Sequence, residues 1–138
     1  MLPWSLRHPG GVNQVVRNLM REMQQAGNYT PALLIIDWDK PVLNREIHDG
    51  QPVWRFRIPD VSDIIHPLRT MKFLIRAPKV LYALARFIRH EKISVINVHY
   101  PGTSAFFFAV LRRSGLLKRL IISVHGTDVT KMEHDTGI

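Results

Sequence analysis

Three short, largely apolar runs constrain the fold of this chain more than any other feature of its sequence. They occupy residues 32–36, 93–98 and 120–124. Strands that are apolar on both faces belong to sheets covered by helices on both sides, and such sheets are parallel. Amphipathic segments with the spacing of helices lie before and between these runs. The sequence therefore predicts an α/β fold, in which helices cover both faces of a parallel sheet.

The other elements follow from residue spacing and from turn residues, and the predicted order is helix, strand, strand, helix, strand, helix, strand. The first helix ends at Gly27 and Asn28, and its apolar positions are Val12, Val15, Val16, Leu19, Met20 and Met23. Residues 37–51 are polar and predict turns. Residues 52–59 predict a half-exposed strand, with Trp54, Phe56 and Ile58 on one face and Arg55 and Arg57 on the other.

The second half of the chain predicts two further helices. Residues 67–92 predict a helix with a kink or a break at Pro78. Residues 103–115 predict a helix with Thr103 or Ser104 as its N-cap and Gly115 as its stop. Residues 1–4 are all that remains of a strand that would feed the first helix, and the chain stops in a polar stretch. We therefore expect a fragment that is cut at both ends.

Charge is distributed unevenly along the chain. The net charge is +8, but residues 1–65 contain seven basic and seven acidic side chains, whereas residues 66–138 contain twelve and four. This asymmetry indicates a local surface for an anionic partner: nucleic acid, anionic lipid or a phosphorylated small molecule. Nucleic acid is the least favoured of the three, because the sequence contains no helix-turn-helix cue, zinc finger or RNA-recognition signature.

The cellular compartment is constrained by what the sequence does not contain. The chain has no cysteine, which excludes disulfides and thiolate metal sites. No apolar run reaches the length of a membrane span, and the first residues do not resemble a signal peptide. We expect a cytoplasmic protein.

Candidate site residues follow the predicted strands, where ligands of open α/β sheets bind. Gly10 and Gly11 precede the first helix, whose free N–H groups and positive dipole end favour phosphate. A tight turn explains the two glycines equally, since the sequence matches neither G-x-G-x-x-G nor a Walker P-loop. His99 and His125 follow two successive strands, and Asp37 and Asp39 follow an earlier one. Each histidine has a structural alternative, and a zinc site is less favoured because no further ligand completes the coordination.

The predicted second helix carries a basic stripe. On an ideal helix its members lie within roughly 60° of Lys72; they are Arg69, Lys72, Arg76, Lys79, Arg86 and His90. The stripe is interpreted either as a solvated surface or as a face that docks to an anionic membrane.

Four segments together resemble family 4 glycosyltransferases. They are PGGVNQVVRNLMREMQQAGN, DGQPVWRFRIP, ISVINVHYPGTSAFFFAVLRRSG and LIISVHGTD, in the order in which that family has them. The resemblance covers nearly the whole chain and matches the family's N-terminal, Rossmann-like domain. It implies one half of a two-domain GT-B architecture, and an enzyme that transfers a sugar from a nucleotide-sugar to an acceptor hydroxyl with retention of configuration.

The resemblance also implies roles for individual residues. Gly10 and Gly11 would lie beside the donor diphosphate, and His125 near the transferred sugar as the catalytic residue. His99 and Asp128 would lie near the acceptor cleft. The resemblance implies neither a metal nor a bound cofactor. It implies a nucleotide-sugar as co-substrate and a carbohydrate or a lipid-linked molecule as acceptor.

The family's donor site is mainly in a C-terminal domain, with a basic pair and a Glu-x7-Glu motif, and residues 1–138 contain neither. We therefore expect this fragment to be inactive by itself, although it resembles a hexosyl-type transferase, and to lie in the cytoplasm or peripherally at the inner face of the membrane. The alternative is a non-catalytic Rossmann-like module that docks to an anionic membrane or to a protein partner.

Overall fold

The computed structural model describes residues 1–3, 11–59, 67–102 and 104–125. The chain divides into two compact units, Met1–Arg57 and Ile58–Ile138. The first unit contains α1 (Gly11–Gln25), β1 (Leu33–Ile36), β2 (Asn44–His48) and β3 (Gln51–Phe56). The second contains α2 (Pro67–His90), β4 (Val95–His99), α3 (Ala105–Arg113) and β5 (Arg119–Ser123).

The sheet of the first unit has the order β1-β3-β2. β1 and β3 are parallel, and β2 joins β3 as an antiparallel strand. Leu2 forms a parallel bridge to Ile35 on the other edge of β1. The Leu2 N–H donates to the Leu34 carbonyl at 2.9 Å, and the Ile36 N–H donates to the Leu2 carbonyl at 3.0 Å. Leu2, one of the residues that the sequence indicates as remains of a first strand, is thus placed beside β1.

α1 covers this sheet with a narrower face than its sequence pattern predicts. The core of the unit is formed by Leu2, Val16, Leu33, Ile35 and Val53, with Val12 and Met20 packed against it. Val15 and Leu19 belong to the predicted apolar stripe, yet 51% and 41% of their surfaces are exposed. The helix ends as predicted, and Gly27 follows it with a φ of +70°, a conformation that glycine adopts without a steric cost.

β2 corrects the prediction that residues 37–51 contain only turns. It was missed because its sequence, NREIH, is polar and lies on the edge of the sheet. β2 also changes the environment of Arg55, which was predicted on an exposed face. Its guanidinium lies 2.9 Å from the Glu46 carboxylate on β2 and 3.2 Å from that of Asp37, and its side chain is only 22% exposed.

α2 is continuous through Pro78, so of the kink or break predicted at this residue the break does not occur. Proline cannot bond the carbonyl of Leu74, one turn earlier. Leu74 and Pro78 are both exposed, which lets water satisfy that carbonyl. The buried face consists of Phe73, Val80, Leu84, Phe87 and Ile88. Phe73 contacts Phe107 of α3, with the ring centroids 5.9 Å apart.

β4 and β5 pair in parallel, with His99 opposite Ser123, and α3 connects them. Ser104 is the N-cap of α3, and Gly115 follows its end with a φ of +79°. Residues 120–124 are predicted to form a buried strand. The strand is present, but it is not buried, since Ile121 and Ile122 are 47% and 45% exposed. In the described residues β5 pairs with β4 alone, so its other edge is uncovered. The mixed α/β fold with parallel strand pairs is confirmed.

Candidate functional site

The carboxyl ends of β4 and β5 bring two predicted site residues together. His99 is the last residue of β4, and His125 follows β5 by two residues. Parallel neighbours end at the same edge of their sheet, which is the edge where ligands bind in folds of this type. The sequence placed both histidines at this edge. The structure adds that their side chains are in contact.

The two imidazoles are joined by a hydrogen bond and by ring packing. His99 Nδ1 lies 3.2 Å from His125 Nε2. Their ring centroids are 5.4 Å apart, and the ring planes differ by 24°. The ring of Tyr100 stacks on His125 as well, at 4.8 Å between centroids and 23° between planes. His125 is therefore held by side chains from two consecutive positions at the end of β4.

The backbone at Tyr100 adopts a conformation that is rare for an aromatic residue. Its φ is +53°, in the left-handed region. Non-glycine residues in this region cost of order 1–3 kcal/mol each, and they concentrate at active sites and switch regions. The Tyr100 N–H donates to the Ser123 carbonyl at 3.2 Å, which extends the β4–β5 pairing and secures this turn. The strained residue is the one that places an aromatic ring on His125.

Burial determines the charge of His99. The residue is only 4% exposed, and the loss of hydration that accompanies burial is the largest of the causes that lower its pKa from 6.5 to about 4. His99 is consequently neutral at neutral pH. A neutral imidazole carries one N–H donor and one acceptor nitrogen, so His99 can either donate to His125 or accept from it.

The predicted phosphate-binding turn is described only in part. Gly11 is the first residue of α1, it is exposed, and a Cβ added to it would meet no atom within 4 Å. The first turn of α1 contains no acidic residue that would repel an anion. Gly10 and Asp128, which the sequence also indicates, lie outside the described residues.

The acidic residues that follow β1 have a structural role. Asp37 Oδ2 accepts a hydrogen bond from Arg55 Nη1 at 3.2 Å, and its Oδ1 accepts one from the Asp39 N–H at 3.0 Å. These contacts join the end of β1 to β3 and shape the turn that follows. Asp37 therefore stabilises the local fold, and these contacts explain its position without a role in ligand binding.

The basic stripe of α2 is accessible to solvent along its whole length. Its members Arg69, Lys72, Arg76, Lys79 and Arg86 are all exposed. Apolar side chains are exposed beside them: Leu68 by 63%, Met71 by 58%, Ile75 by 62% and Tyr82 by 67%. At about 100° per residue, these four lie within roughly 100° of Lys72, all on the same side of it. The exposed surface of α2 is thus both basic and apolar.

Over residues 1–3, 11–59, 67–102 and 104–125, no group of three His, Asp or Glu side chains is arranged to hold a metal ion. None of the helices in that part of the chain combines the length and the apolar character needed to cross a bilayer.

Tyr100 is the residue whose importance the sequence did not indicate. Residue spacing does not predict a positive φ at a tyrosine. An aromatic residue between a strand-ending histidine and Pro101 is the signal that was available.

Comparison with known proteins identifies one family. The sequence model of Glycosyltransferase Family 4 matches residues 9–136. No curated protein and no solved structure matched the chain. The matched region includes the glycine pair, both histidines and the basic stripe.

Proposed function

Because this chain belongs to Glycosyltransferase Family 4, we propose that it is the acceptor-side domain of a retaining glycosyltransferase, which moves a sugar from a nucleotide-sugar to a hydroxyl of a carbohydrate or lipid-linked acceptor. The observation that carries the proposal is the contact between His99 and His125 at the carboxyl ends of two parallel strands, within the region that the family model matches. The fold of this domain is Rossmann-like, as expected for one half of a GT-B enzyme.

The proposed chemistry assigns separate parts to the two glycines and to His125. Negative charge develops on the departing diphosphate as its bond to the sugar breaks. Backbone N–H groups at Gly10 and Gly11, at the positive end of α1, would stabilise that charge. His125 would orient the sugar or the attacking hydroxyl, and His99 and Asp128 would lie on the acceptor side. The mechanism needs no metal, because the helix end and backbone amides supply the positive potential.

Under this proposal the 138 residues supply only part of an active site and do not catalyse sugar transfer by themselves. A GT-B site forms between two domains, and the Glu-x7-Glu motif of the donor domain does not occur in residues 1–138. We expect the purified chain to release no nucleotide from common nucleotide-sugars, and a longer product that includes a donor domain to release it. Nucleotide release by the chain alone, abolished in His125→Ala, would contradict the two-domain proposal. A reading frame that continues without a Glu-x7-Glu segment would favour a non-catalytic binding module instead.

The exposed surface of α2 supports a second, compatible proposal. We propose that this face docks to the anionic inner surface of a membrane, which would place the protein peripherally in the cytoplasm. Basic residues near an anionic surface contribute about 1 kcal/mol each. Exposed apolar side chains next to them can enter the headgroup region, as in helices that lie flat in the interface. The four apolar residues that are exposed beside the basic stripe favour this interpretation over a merely solvated surface.

Co-sedimentation with vesicles tests the docking surface. Lys72→Glu/Arg76→Glu/Lys79→Glu should lose binding to anionic vesicles at low salt. The matched control is Arg112→Glu/Arg113→Glu/Lys118→Glu, which lowers the net charge by the same six units, from +8 to +2, at exposed positions outside α2. The control should bind nearly as well as the wild type. Equal losses in both variants would show that net charge, and not α2, attracts the chain.

High salt separates the electrostatic contribution to vesicle binding from the apolar contribution. The Debye length falls to about 3 Å at 1 M salt, so the electrostatic part should disappear there. Whatever binding persists should decrease in Met71→Ser/Ile75→Ser/Tyr82→Ser, since apolar contacts are not screened. Binding that persists at high salt and is unaffected by this variant would count against docking through α2.

A further inference from the structure

The side chain of His99 is buried and makes its hydrogen bond to His125, on the next strand end. We propose that His99 is a positioning residue, which holds the His125 imidazole in one orientation and one tautomer at the carboxyl ends of β4 and β5. Its contribution to sugar transfer rests on the function proposed above, but its effect on His125 is a property of this chain alone.

The direction of the hydrogen bond determines which nitrogen of a neutral His125 carries the proton. If the His99 Nδ1–H donates, His125 Nε2 is the acceptor and the proton of a neutral His125 is on Nδ1. If the His125 Nε2–H donates, His99 Nδ1 is the acceptor and His125 Nδ1 carries no proton. In either arrangement the tautomer of His125 depends on the tautomer of His99, because each ring supplies one nitrogen to the shared hydrogen bond.

Burial makes His99 suited to this role. A partner imidazole that became charged near neutral pH would have N–H groups on both nitrogens and could not accept a hydrogen bond from His125. With its pKa lowered to about 4 by burial, His99 stays neutral while His125 is neutral or charged. A protonated His125 has N–H groups on both nitrogens, and its Nε2–H can still donate to His99 Nδ1. The contact therefore survives a change in the charge of His125.

Tyr100 supplies a second restraint on the same ring. Stacking at 4.8 Å limits the tilt of the imidazole plane, whereas the hydrogen bond limits its rotation within that plane. Two restraints of different kind, from adjacent residues, leave His125 little freedom. This is the arrangement in which outer partners orient a functional imidazole.

Nitrogen-15 NMR of the histidine side chains tests the proposal on the chain as it exists. Protonated and unprotonated ring nitrogens differ widely in chemical shift, so the spectrum reports the tautomer. His125→Gln identifies the signals of His125 by removing them. In the wild type at neutral pH we expect one dominant tautomer of His125. His99→Asn, whose side-chain amide can occupy the place of Nδ1, should retain it, whereas His99→Phe should let both tautomers exchange.

The outcomes separate positioning from packing. Phenylalanine keeps a ring at position 99 but no hydrogen-bonding nitrogen. Unchanged His125 nitrogen shifts in His99→Phe, or a mixture of tautomers in the wild type, would overturn the proposal. If His99→Phe does not fold, the reciprocal variant His125→Phe decides, because His125 is only half-buried. The nitrogen shifts of His99 should then change, and unchanged shifts would overturn the proposal equally.

Activity provides an independent readout in a longer product that transfers sugar. Loss of an outer partner of a functional side chain costs roughly 10–100-fold. We expect His99→Phe to lower kcat by at least about tenfold with little change in KM, and His99→Asn to restore part of it. If the wild type transfers no sugar while the NMR result holds, the proposed function fails and the positioning role stands.

Discussion

Replacement of Leu2 by alanine should destabilise the first unit selectively. The Leu2 side chain is fully buried, in contact with the cluster that contains Val16, Leu33, Ile35 and Val53. The substitution removes about three carbons, worth roughly 0.8 kcal/mol each, or about 2.4 kcal/mol. The cavity left behind adds to this, and buried leucine-to-alanine changes cost about 2–5 kcal/mol in total. We expect about 3 kcal/mol.

That loss is large for a unit of this size. Proteins are stable by roughly 0.05–0.15 kcal/mol per residue, which gives about 3–9 kcal/mol for the 57 residues of Met1–Arg57. Leu2→Ala would therefore remove between a third and all of the stability of this unit. α1, which begins at Gly11, packs against the same cluster through Val16, so the same change should loosen the support of the proposed diphosphate site.

Native-state hydrogen exchange measures the effect at individual amides. The Ile36 N–H donates to the Leu2 carbonyl and reports on the first unit, and the amides of β4 report on the second. A loss of about 3 kcal/mol accelerates exchange roughly a hundredfold, because each 1.4 kcal/mol is a factor of ten. The control is Leu68→Ala, whose side chain is 63% exposed and should change stability by less than about 0.5 kcal/mol. Equal exchange of Ile36 in Leu2→Ala and in the wild type would refute the reasoning.

Two further predictions concern the histidines. Between about pH 6.5 and 4 the unfolded chain binds a proton at His99 that the folded chain does not, so the free energy of unfolding should fall by up to roughly 3 kcal/mol as the pH is lowered. Urea midpoints at both ends of this range measure how steeply stability depends on pH. An equally steep dependence in His99→Phe would contradict the assignment to His99. In a sugar-transferring longer product, His125→Ala should lower turnover with little change in Tm, whereas Val98→Ala, at a fully buried position, should cost about 1.6 kcal/mol of stability. A large fall in Tm with unchanged turnover in His125→Ala would assign that residue to the fold.

The sequence predicted those parts of the fold in which burial and local spacing agree. β1, β4 and α3 follow from apolar runs and from turn residues at their ends. β2 was missed because its strand conformation comes from pairing with β3 and from the Glu46–Arg55 contact, neither of which leaves a pattern in NREIH. Pro78 shows the converse, since a residue that breaks isolated helices is accommodated on the exposed side of α2. Tertiary context decided both cases.

The position of His99 and His125 at one edge of the sheet was predicted, but the contact between them was not. Parallel strands end together, so the sequence could place His99 and His125 at one edge. The 3.2 Å approach of their nitrogens depends on side-chain rotation and on the turn at Tyr100, which residue spacing does not encode. The roles of Gly10, Gly11 and Asp128 stay predictions.

Within the part of the chain that the structure describes, β5 pairs along one edge only, and this has a practical consequence for handling the protein. A strand edge with unpaired backbone groups can pair with a strand of another chain. The exposed side chains of Ile121, Ile122 and Val124 would add apolar contacts to such an association. The net charge of +8 opposes such self-association by mutual repulsion. Solubility should therefore decline as salt rises or as basic residues are reversed, and concentrated samples should form intermolecular sheets. The charge-reversal control keeps the vesicle comparison valid, because both triple variants lose the same amount of this repulsion.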